Sequence, residues 1–304
     1  MYRNFVAKSP QMLDILSVIS KIAPTTSPVL IHGENGVGKS LVAEQIHLKS
    51  LRRNEVFIRV NCFTNSEQTL ELELFGDNSN SNQNSEQGFL KIASNGTIFF
   101  EEIGYLPLNL QNKLLFYIQS NEYNVRIVAS TSLDLESRVN EGNFLKELYY
   151  RLNVLPLNIP ALRYRKDDIE SLSMYFCEIF SKKMKKDFTG FTQNAVKLMY
   201  DYYWVGNVRE LKNAVERACI LGQPPLIHSF DLRLNFATAD NLLQNQCIEV
   251  ETDKDLKTAI QKFKKTYVMQ ILDSVSWNQT EASKIMGIQR TYLSKLMSDL
   301  DIRK

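Results

Sequence analysis

The first 160 or so residues alternate short apolar runs with helical patterns. Apolar runs that end in polar residues, with helices between them, are typical of a parallel sheet in an α/β protein. The predicted strands are 28–32, 56–61, 96–100 and 125–131, and the helices between them include 40–50 and 108–119.

The pattern then changes to the 3.6-residue period of an amphipathic helix. From about 167 to 221 the apolar positions recur at helical spacing, which predicts a small all-helical subdomain. Gly222-Gln223-Pro224-Pro225 ends that region, and 233–253 lacks any clear period. The predicted organisation is therefore an α/β subdomain, a helical subdomain, a linker and a final helical unit, at 1–164, 165–232, 233–253 and 254–304.

Composition narrows the class of protein. No apolar run approaches the ~18 residues of a membrane span, and no signal peptide precedes the first motif. The four cysteines form no CxxC pair, so we expect neither a disulfide framework nor a metal cluster, and a reducing cytoplasm is the expected location.

Positive charge is concentrated near the C-terminus. Residues 254–304 carry ten Lys and Arg against five Asp and Glu, whereas the remaining 253 residues carry 26 against 29. A basic segment on a slightly acidic body suits contact with phosphates, although a solvated charged helix would give the same count.

One eight-residue segment fits GxxxxGK[ST] and lies between a predicted strand and a predicted helix, the context that a phosphate-binding loop requires. Its glycines let backbone N–H groups face phosphate oxygens at a helix N-terminus. The expected roles are β- and γ-phosphate contact for the lysine and Mg²⁺ ligation for the serine. The segment consists of Gly33, Glu34, Asn35, Gly36, Val37, Gly38, Lys39 and Ser40.

Two carboxylates follow the third predicted strand. Phosphoryl transfer needs acidic residues at such a strand end, so we predict that Glu101 holds Mg²⁺ and that Glu102 polarises the attacking water. A solvated Glu pair at a turn is the alternative.

The C-terminal unit predicts a helix-turn-helix. Asn278 and Glu281 form a capping-box pattern, and Gly287-Ile288 separates two short helices at 280–286 and 289–300. The second helix of such a pair reads the major groove of double-stranded DNA, although purely structural pairs also occur. The expected core residues are Ile285, Ile288, Leu293, Leu296 and Leu300. The expected DNA-contacting residues are Gln289, Arg290, Thr291, Tyr292 and Lys295.

With these motifs in place, nearly the whole chain resembles the sigma-54 activators, the bacterial enhancer-binding proteins, which join an AAA+ domain to a Fis-type helix-turn-helix. The matching motifs beyond the phosphate loop include Glu73-Leu74-Phe75-Gly76, Leu148 to Val154, Leu162-Arg163 with Asp168-Ile169, and Gly206 to Leu211. The resemblance implies a nucleotide-binding α/β subdomain, a helical lid, ATP or ADP with Mg²⁺ as ligands, and self-association as a dimer through the C-terminal domain or as a larger AAA+ oligomer.

The resemblance also implies roles for single residues. Asn61 resembles the residue that orients the catalytic Glu, and Arg209 resembles sensor II of the lid. Arg151 resembles an arginine finger offered to a neighbouring subunit, and Ser132 stands at the position of the sensor I Asn.

Four departures from the family pattern bear on function. The polar segment 77–87 stands where the family carries the GAFTGA loop that contacts sigma-54, and its composition predicts a surface loop. Glu101 replaces the family's Walker B Asp, Ser132 replaces Asn, and Leu145 replaces the first of two arginines. Losing such an arginine typically costs ~10³ or more in rate.

The leading hypothesis is a DNA-binding transcription regulator that binds nucleotide, hydrolyses it weakly or not at all, and does not remodel sigma-54 polymerase. One alternative is an active AAA+ ATPase acting on sigma-54 or another partner. A second alternative is a subunit that joins an activator's ring and dampens it, and either could involve another regulator or RNA polymerase.

Overall fold

The fold is that of a computed structural model, which describes residues 5–63, 66–76, 87–120, 124–234, 268, 272 and 277–300. The chain forms two compact units, one within residues 1–239 and one within 240–304. Among the described residues, no helix is long and apolar enough to cross a membrane.

A parallel five-stranded sheet organises the described part of the first unit. The strands are β1 (Val29–His32), β2 (Phe57–Asn61), β3 (Thr97–Glu101), β4 (Arg126–Thr131) and β5 (Leu155–Asn158). Their order in the sheet is β2-β3-β4-β1-β5, with every neighbouring pair parallel.

Helices cover both faces of the sheet, because its successive buried residues point to opposite sides. Phe99 packs into one apolar cluster and Phe100 into the other. The helices are α1 (Pro10–Ile22), α2 (Lys39–Leu48), α3 (Glu67–Phe75), α4 (Phe89–Ile92), α5 (Leu108–Ser120), α6 (Leu135–Asn140) and α7 (Lys146–Leu152), with 3₁₀ turns at Ile103–Tyr105 and Leu162–Tyr164.

A helical subdomain follows in the same unit. Its core is centred on the fully buried Trp204, whose indole N–H donates to the Met199 carbonyl at 2.8 Å. Its elements are α8 (Asp167–Met184), β6 (Gly190–Phe191), α9 (Gln193–Asp201), α10 (Asn207–Leu221), β7 (Leu226–Ile227) and α11 (Ser229–Leu232). The α/β fold with a helical lid that the sequence predicts is thus confirmed.

The second unit is described only in part. Two short helices, α12 (Gln279–Ile285) and α13 (Arg290–Asp299), share an apolar cluster formed by Val268, Leu272, Ala282, Leu293 and Met297. Gly287 lies between them with φ of 64°, a left-handed conformation that glycine adopts readily. Ile288, Leu296 and Leu300 pack against the cluster as expected, whereas the Ile285 side chain lies outside the described residues.

The polar segment 77–87 also lies outside the described residues except at its last position. Gln87 forms an isolated antiparallel bridge with Gly76.

Candidate functional site

The phosphate loop connects the end of β1 to the start of α2. Gly36 has φ of 80°, and a Cβ atom added there would lie 2.3 Å from the Gly206 carbonyl oxygen, so only glycine fits. The Arg209 backbone N–H donates to the Gly36 carbonyl at 3.3 Å. The loop is therefore packed directly against the first turn of α10 in the lid.

Lys39 is the nearly buried cation of the loop, with 6% of its surface exposed. Its ammonium donates to the Gly33 carbonyl at 2.7 Å and to the Glu34 carbonyl at 3.2 Å. It also forms an ion pair with Glu102 Oε1 at 2.8 Å. The structure thus places the predicted lysine and the second predicted carboxylate in direct contact.

Glu101, the last residue of β3, is held by a hydroxyl and a guanidinium. Ser40 Oγ donates to Glu101 Oε1 at 2.6 Å. Arg59 donates to Glu101 Oε2 from Nε at 2.9 Å and from a terminal nitrogen at 2.5 Å. Burial alone would raise the pKa of Glu101, but these hydrogen bonds bring that pKa below its usual value.

The oxygens of Ser40 and Glu101 fit a Mg²⁺ ion chemically. Mg²⁺ prefers hydroxyl and carboxylate oxygens and is usually held by few protein ligands together with substrate phosphates. The two predicted metal-binding residues are hydrogen-bonded to each other, so one ion could contact both. Arg59 also hydrogen-bonds to the Glu101 carboxylate, and no motif in the sequence predicts this contact.

Glu102 uses both of its oxygens within the protein. Oε1 pairs with Lys39, and Oε2 accepts from the Ser132 backbone N–H and from Ser132 Oγ, each at 2.8 Å. Its backbone is left-handed, with φ of 57° and ψ of 51°, which is a costly conformation for a non-glycine residue and is often found at functional sites. Ser132, expected at the sensor I position, thus contacts the residue proposed to polarise water.

Asn61 and Arg209 also lie at this site. The Asn61 side-chain oxygen accepts a hydrogen bond from the Phe63 backbone N–H at 2.9 Å. Asn61 and Arg209 line the same cavity. Two adjoining cavities, of about 290 and 240 Å³, share Asn35, Glu101, Glu102 and Arg209. The first is also lined by Arg59, Asn61, Phe63, Tyr105 and Ser132, and the second by Gly36, Gly38, Lys39, Ser40, Val208 and Lys212.

A polar network ties the phosphate loop to the lid. The Arg163 guanidinium donates to both oxygens of Glu34 at 2.8 and 2.5 Å, and Asn207 Nδ2 donates to Glu34 Oε2 at 3.0 Å. The Arg163 guanidinium also stacks over the rings of Tyr164 and Tyr203. Because Arg163 hydrogen-bonds to it, the pKa of Glu34 is lowered.

Arg151 lies apart from the residues that line the two phosphate-side cavities. It borders a separate, open hollow of about 550 Å³ together with Pro28, Ile118, Glu147, Tyr150 and Val154. Tyr150 and Val154 are at least half exposed there. This position is compatible with contact to another subunit, and the role that the resemblance implies stays a prediction.

In the second unit, the predicted DNA-contacting residues are all exposed. Asn278 Oδ1 accepts from the Thr280 and Glu281 backbone N–H groups at 3.1 and 3.4 Å and so starts α12. The exposed residues around the start of α13 are Gln289, Arg290, Thr291, Tyr292 and Lys295. They form a polar, partly basic surface, and their contact with DNA stays a prediction.

Comparison with protein families assigns most of the chain. The sigma-54 interaction domain matches residues 5–158, and the AAA+ ATPase lid domain matches residues 163–249.

Named relatives and solved structures agree with those matches. The chain is 36% identical to the regulatory protein AtoC of Escherichia coli K12 over 319 aligned positions, which cover 98% of this chain and 68% of AtoC. It is 38% identical to the transcriptional regulatory protein ZraR of the same organism, covering 96% of this chain and 68% of ZraR. The solved structure of NtrX from Brucella abortus in complex with ADP superposes with a TM-score of 0.71 at 29% identity, covering 99% of this chain and 70% of NtrX. The solved structure of NtrX in complex with ATP superposes with a TM-score of 0.70 at 28% identity, covering 98% of this chain and 69% of NtrX.

Proposed function

Because the chain belongs to the family of sigma-54 activators, we propose that it is a DNA-binding transcription regulator whose AAA+ unit binds ATP or ADP. We further propose that it hydrolyses ATP weakly or not at all and does not remodel sigma-54 polymerase. The observation that carries the proposal is that Glu101 and Glu102, at the end of β3, are each already paired with a cation of the chain itself.

Nucleotide binding follows from the phosphate loop. Lys39 is hydrogen-bonded to two loop carbonyls and lines the cavity beside the loop, where such loops bind phosphates. Ser40 and Glu101 would hold Mg²⁺, which would neutralise phosphate charge. NtrX, whose chain superposes with this one, has been solved with ADP and with ATP.

Weak hydrolysis follows from the contacts of Glu102. A general base must have an oxygen within hydrogen-bond reach of the attacking water. Here one Glu102 oxygen pairs with Lys39 and the other accepts two hydrogen bonds from Ser132. Activating a water would require at least one of these contacts to break, and Leu145 removes one of the family's two arginines.

A steady-state Mg²⁺-ATPase assay of the pure chain tests this part. We expect a rate close to background, and the same rate in Glu102→Gln, which keeps the shape of the side chain but removes its basicity. Turnover that Glu102→Gln abolishes would establish instead the active AAA+ ATPase.

The polar segment 77–87 supports the loss of sigma-54 remodelling. It has no aromatic residue and no Gly-Ala-Phe-Thr sequence with which to dock. We expect the pure protein not to stimulate open-complex formation at a sigma-54 promoter. Stimulation would refute this part, and co-purification with an intact activator would favour the ring-dampening alternative.

DNA binding rests on the exposed residues around α13 and on the basic charge of 254–304. We expect affinity for double-stranded DNA to fall steeply with salt, and to drop in Arg290→Ala and in Lys295→Ala. If a variant that lacks residues 254–304 binds DNA as tightly as the full chain, the assignment of DNA binding to that segment is wrong.

A further inference from the structure

Arg59 and Glu101 form an ion pair at the place where a metal ion would be held. Two nitrogens of one guanidinium converge on a single carboxylate oxygen, while Ser40 takes the other oxygen. Arg59 is 54% exposed, whereas the Glu101 side chain is only 12% exposed. The pair therefore matters most to Glu101, whose charge would otherwise be partly buried without a cation.

The sequence position explains the reach of Arg59. β2 and β3 are parallel neighbours in which Arg59 pairs with Phe99 and Asn61 with Glu101. Arg59 thus lies two residues before the end of β2, and its side chain reaches forward to the Glu101 carboxylate. Both residues line the cavity that also contains Arg209.

The two cavities are lined by charged side chains of both signs, which a bound nucleotide would contact. The lining cations are Lys39, Arg59, Arg209 and Lys212, and the lining carboxylates are those of Glu101 and Glu102. Each of these carboxylates is already paired with one of the cations, Glu102 with Lys39 and Glu101 with Arg59. In a phosphate site whose acidic residue has no cation of its own, a bound Mg²⁺ would offset the repulsion between that carboxylate and the phosphates.

We infer that the Arg59 guanidinium supplies at Glu101 the positive charge that Mg²⁺ supplies elsewhere, so that this chain binds ADP almost equally well with and without the metal. This inference rests on the nucleotide binding proposed above. It concerns the metal dependence of that binding and not turnover.

Equilibrium binding of a fluorescent ADP analogue to the full chain, in saturating Mg²⁺ and in excess EDTA, tests the inference. For the wild type we expect the two Kd values to agree within about threefold, since Glu101 already has a cation. In Arg59→Met the side chain keeps most of its length and loses its charge, so the Kd in EDTA should rise about tenfold while the Kd in Mg²⁺ moves little. Retained binding in Mg²⁺ also shows that the variant is folded.

Two further variants sharpen the comparison. Arg59→Lys keeps the positive charge and should preserve most of the metal-independent binding. Arg53→Met removes another exposed arginine, in the segment before β2, and should behave as the wild type.

The outcomes separate this inference from the proposed function. A wild-type Kd that rises by about a hundredfold in EDTA, or equal Kd ratios in the wild type and Arg59→Met, overturns the inference alone. Loss of binding in both buffers for Arg59→Met overturns it too, because Mg²⁺ should then replace the missing charge. No binding by the wild type in either buffer overturns both the inference and the proposed nucleotide site.

Discussion

At the scale of single residues, the acidic side chains of the site are held by cations that are distant in the sequence. Arg59 lies 42 residues from Glu101, and Arg163 lies 129 residues from Glu34, so these pairs depend on how the chain folds back on itself. No local motif locates these two cations. The phosphate loop and the two carboxylates can be located from the sequence, because they occupy fixed places after a strand and before a helix.

The Glu34 contacts predict a pH-dependent loss of stability. Glu34→Gln keeps the shape of the side chain but weakens the two hydrogen bonds from Arg163, and should lower the free energy of unfolding by about 1 kcal/mol near neutral pH, a figure reduced for partial exposure. Because the pKa of Glu34 is lowered in the folded chain, the unfolded chain takes up the proton first on acidification. The contribution is therefore complete above the usual Glu pKa of about 4.3 and is lost as pH falls through the lower folded value.

Urea unfolding followed by circular dichroism, near neutral pH and at roughly one unit below the usual Glu pKa, measures this difference. Glu44→Gln, on α2, is the matched control, and its free energy of unfolding near neutral pH should stay close to that of the wild type. A Glu34→Gln difference that grows on acidification would contradict the assignment of the stabilisation to the carboxylate.

At the scale of elements, four of the five strands of the sheet begin within one residue of their predicted starts, because buried parallel strands are continuous apolar runs. β5 was missed. It is four residues long and contains Pro156, which has no N–H to donate, and it lies at the edge of the sheet next to β1 alone. A short edge strand with a proline carries little local signal, and its pairing is set by the strands already in place.

One buried side chain fastens the N-terminal segment to the lid. Asp168 in α8 is fully buried and accepts from the Lys8 and Ser9 backbone N–H groups at 2.6 and 2.7 Å and from Ser9 Oγ at 2.8 Å, and Arg165 lies 3.8 Å away. Asp168→Ala leaves the three donors of Lys8 and Ser9 without this acceptor and removes the carboxylate beside the buried Arg165 guanidinium. It should therefore cost about 3 kcal/mol or more.

Thermal unfolding of the full chain measures the effect as a drop in Tm. Asp167→Ala changes the adjacent exposed residue in the same helical turn, and only the helix-dipole contribution of under about 1 kcal/mol should be lost. Equal drops in the two variants would show that the hydrogen bonds to the N-terminal segment contribute little.

At the scale of the whole molecule, the hollow around Arg151 is exposed and separate from the cavities at the phosphate loop. Arg151 does not line the nucleotide cavities of its own chain, and its neighbours Tyr150 and Val154 are 64% and 50% exposed. Tyr and Arg side chains are enriched among the residues that dominate the binding energy of protein interfaces. We therefore expect this surface to contact a neighbouring copy.

Arg151→Ala should accordingly leave nucleotide binding intact and weaken self-association of the chain. Nucleotide affinity should stay within about threefold of the wild type, because Arg151 lines neither of the two cavities at the phosphate loop. Any increase in sedimentation coefficient that nucleotide causes in the wild type should be lost, since the subunit contact that couples assembly to nucleotide is removed. Sedimentation velocity with and without ADP measures this, with Lys182→Ala, an exposed change on α8 away from the hollow, as the control. If Arg151→Ala weakens nucleotide binding in the monomer instead, Arg151 acts within its own chain, and the basis for a shared site between copies disappears.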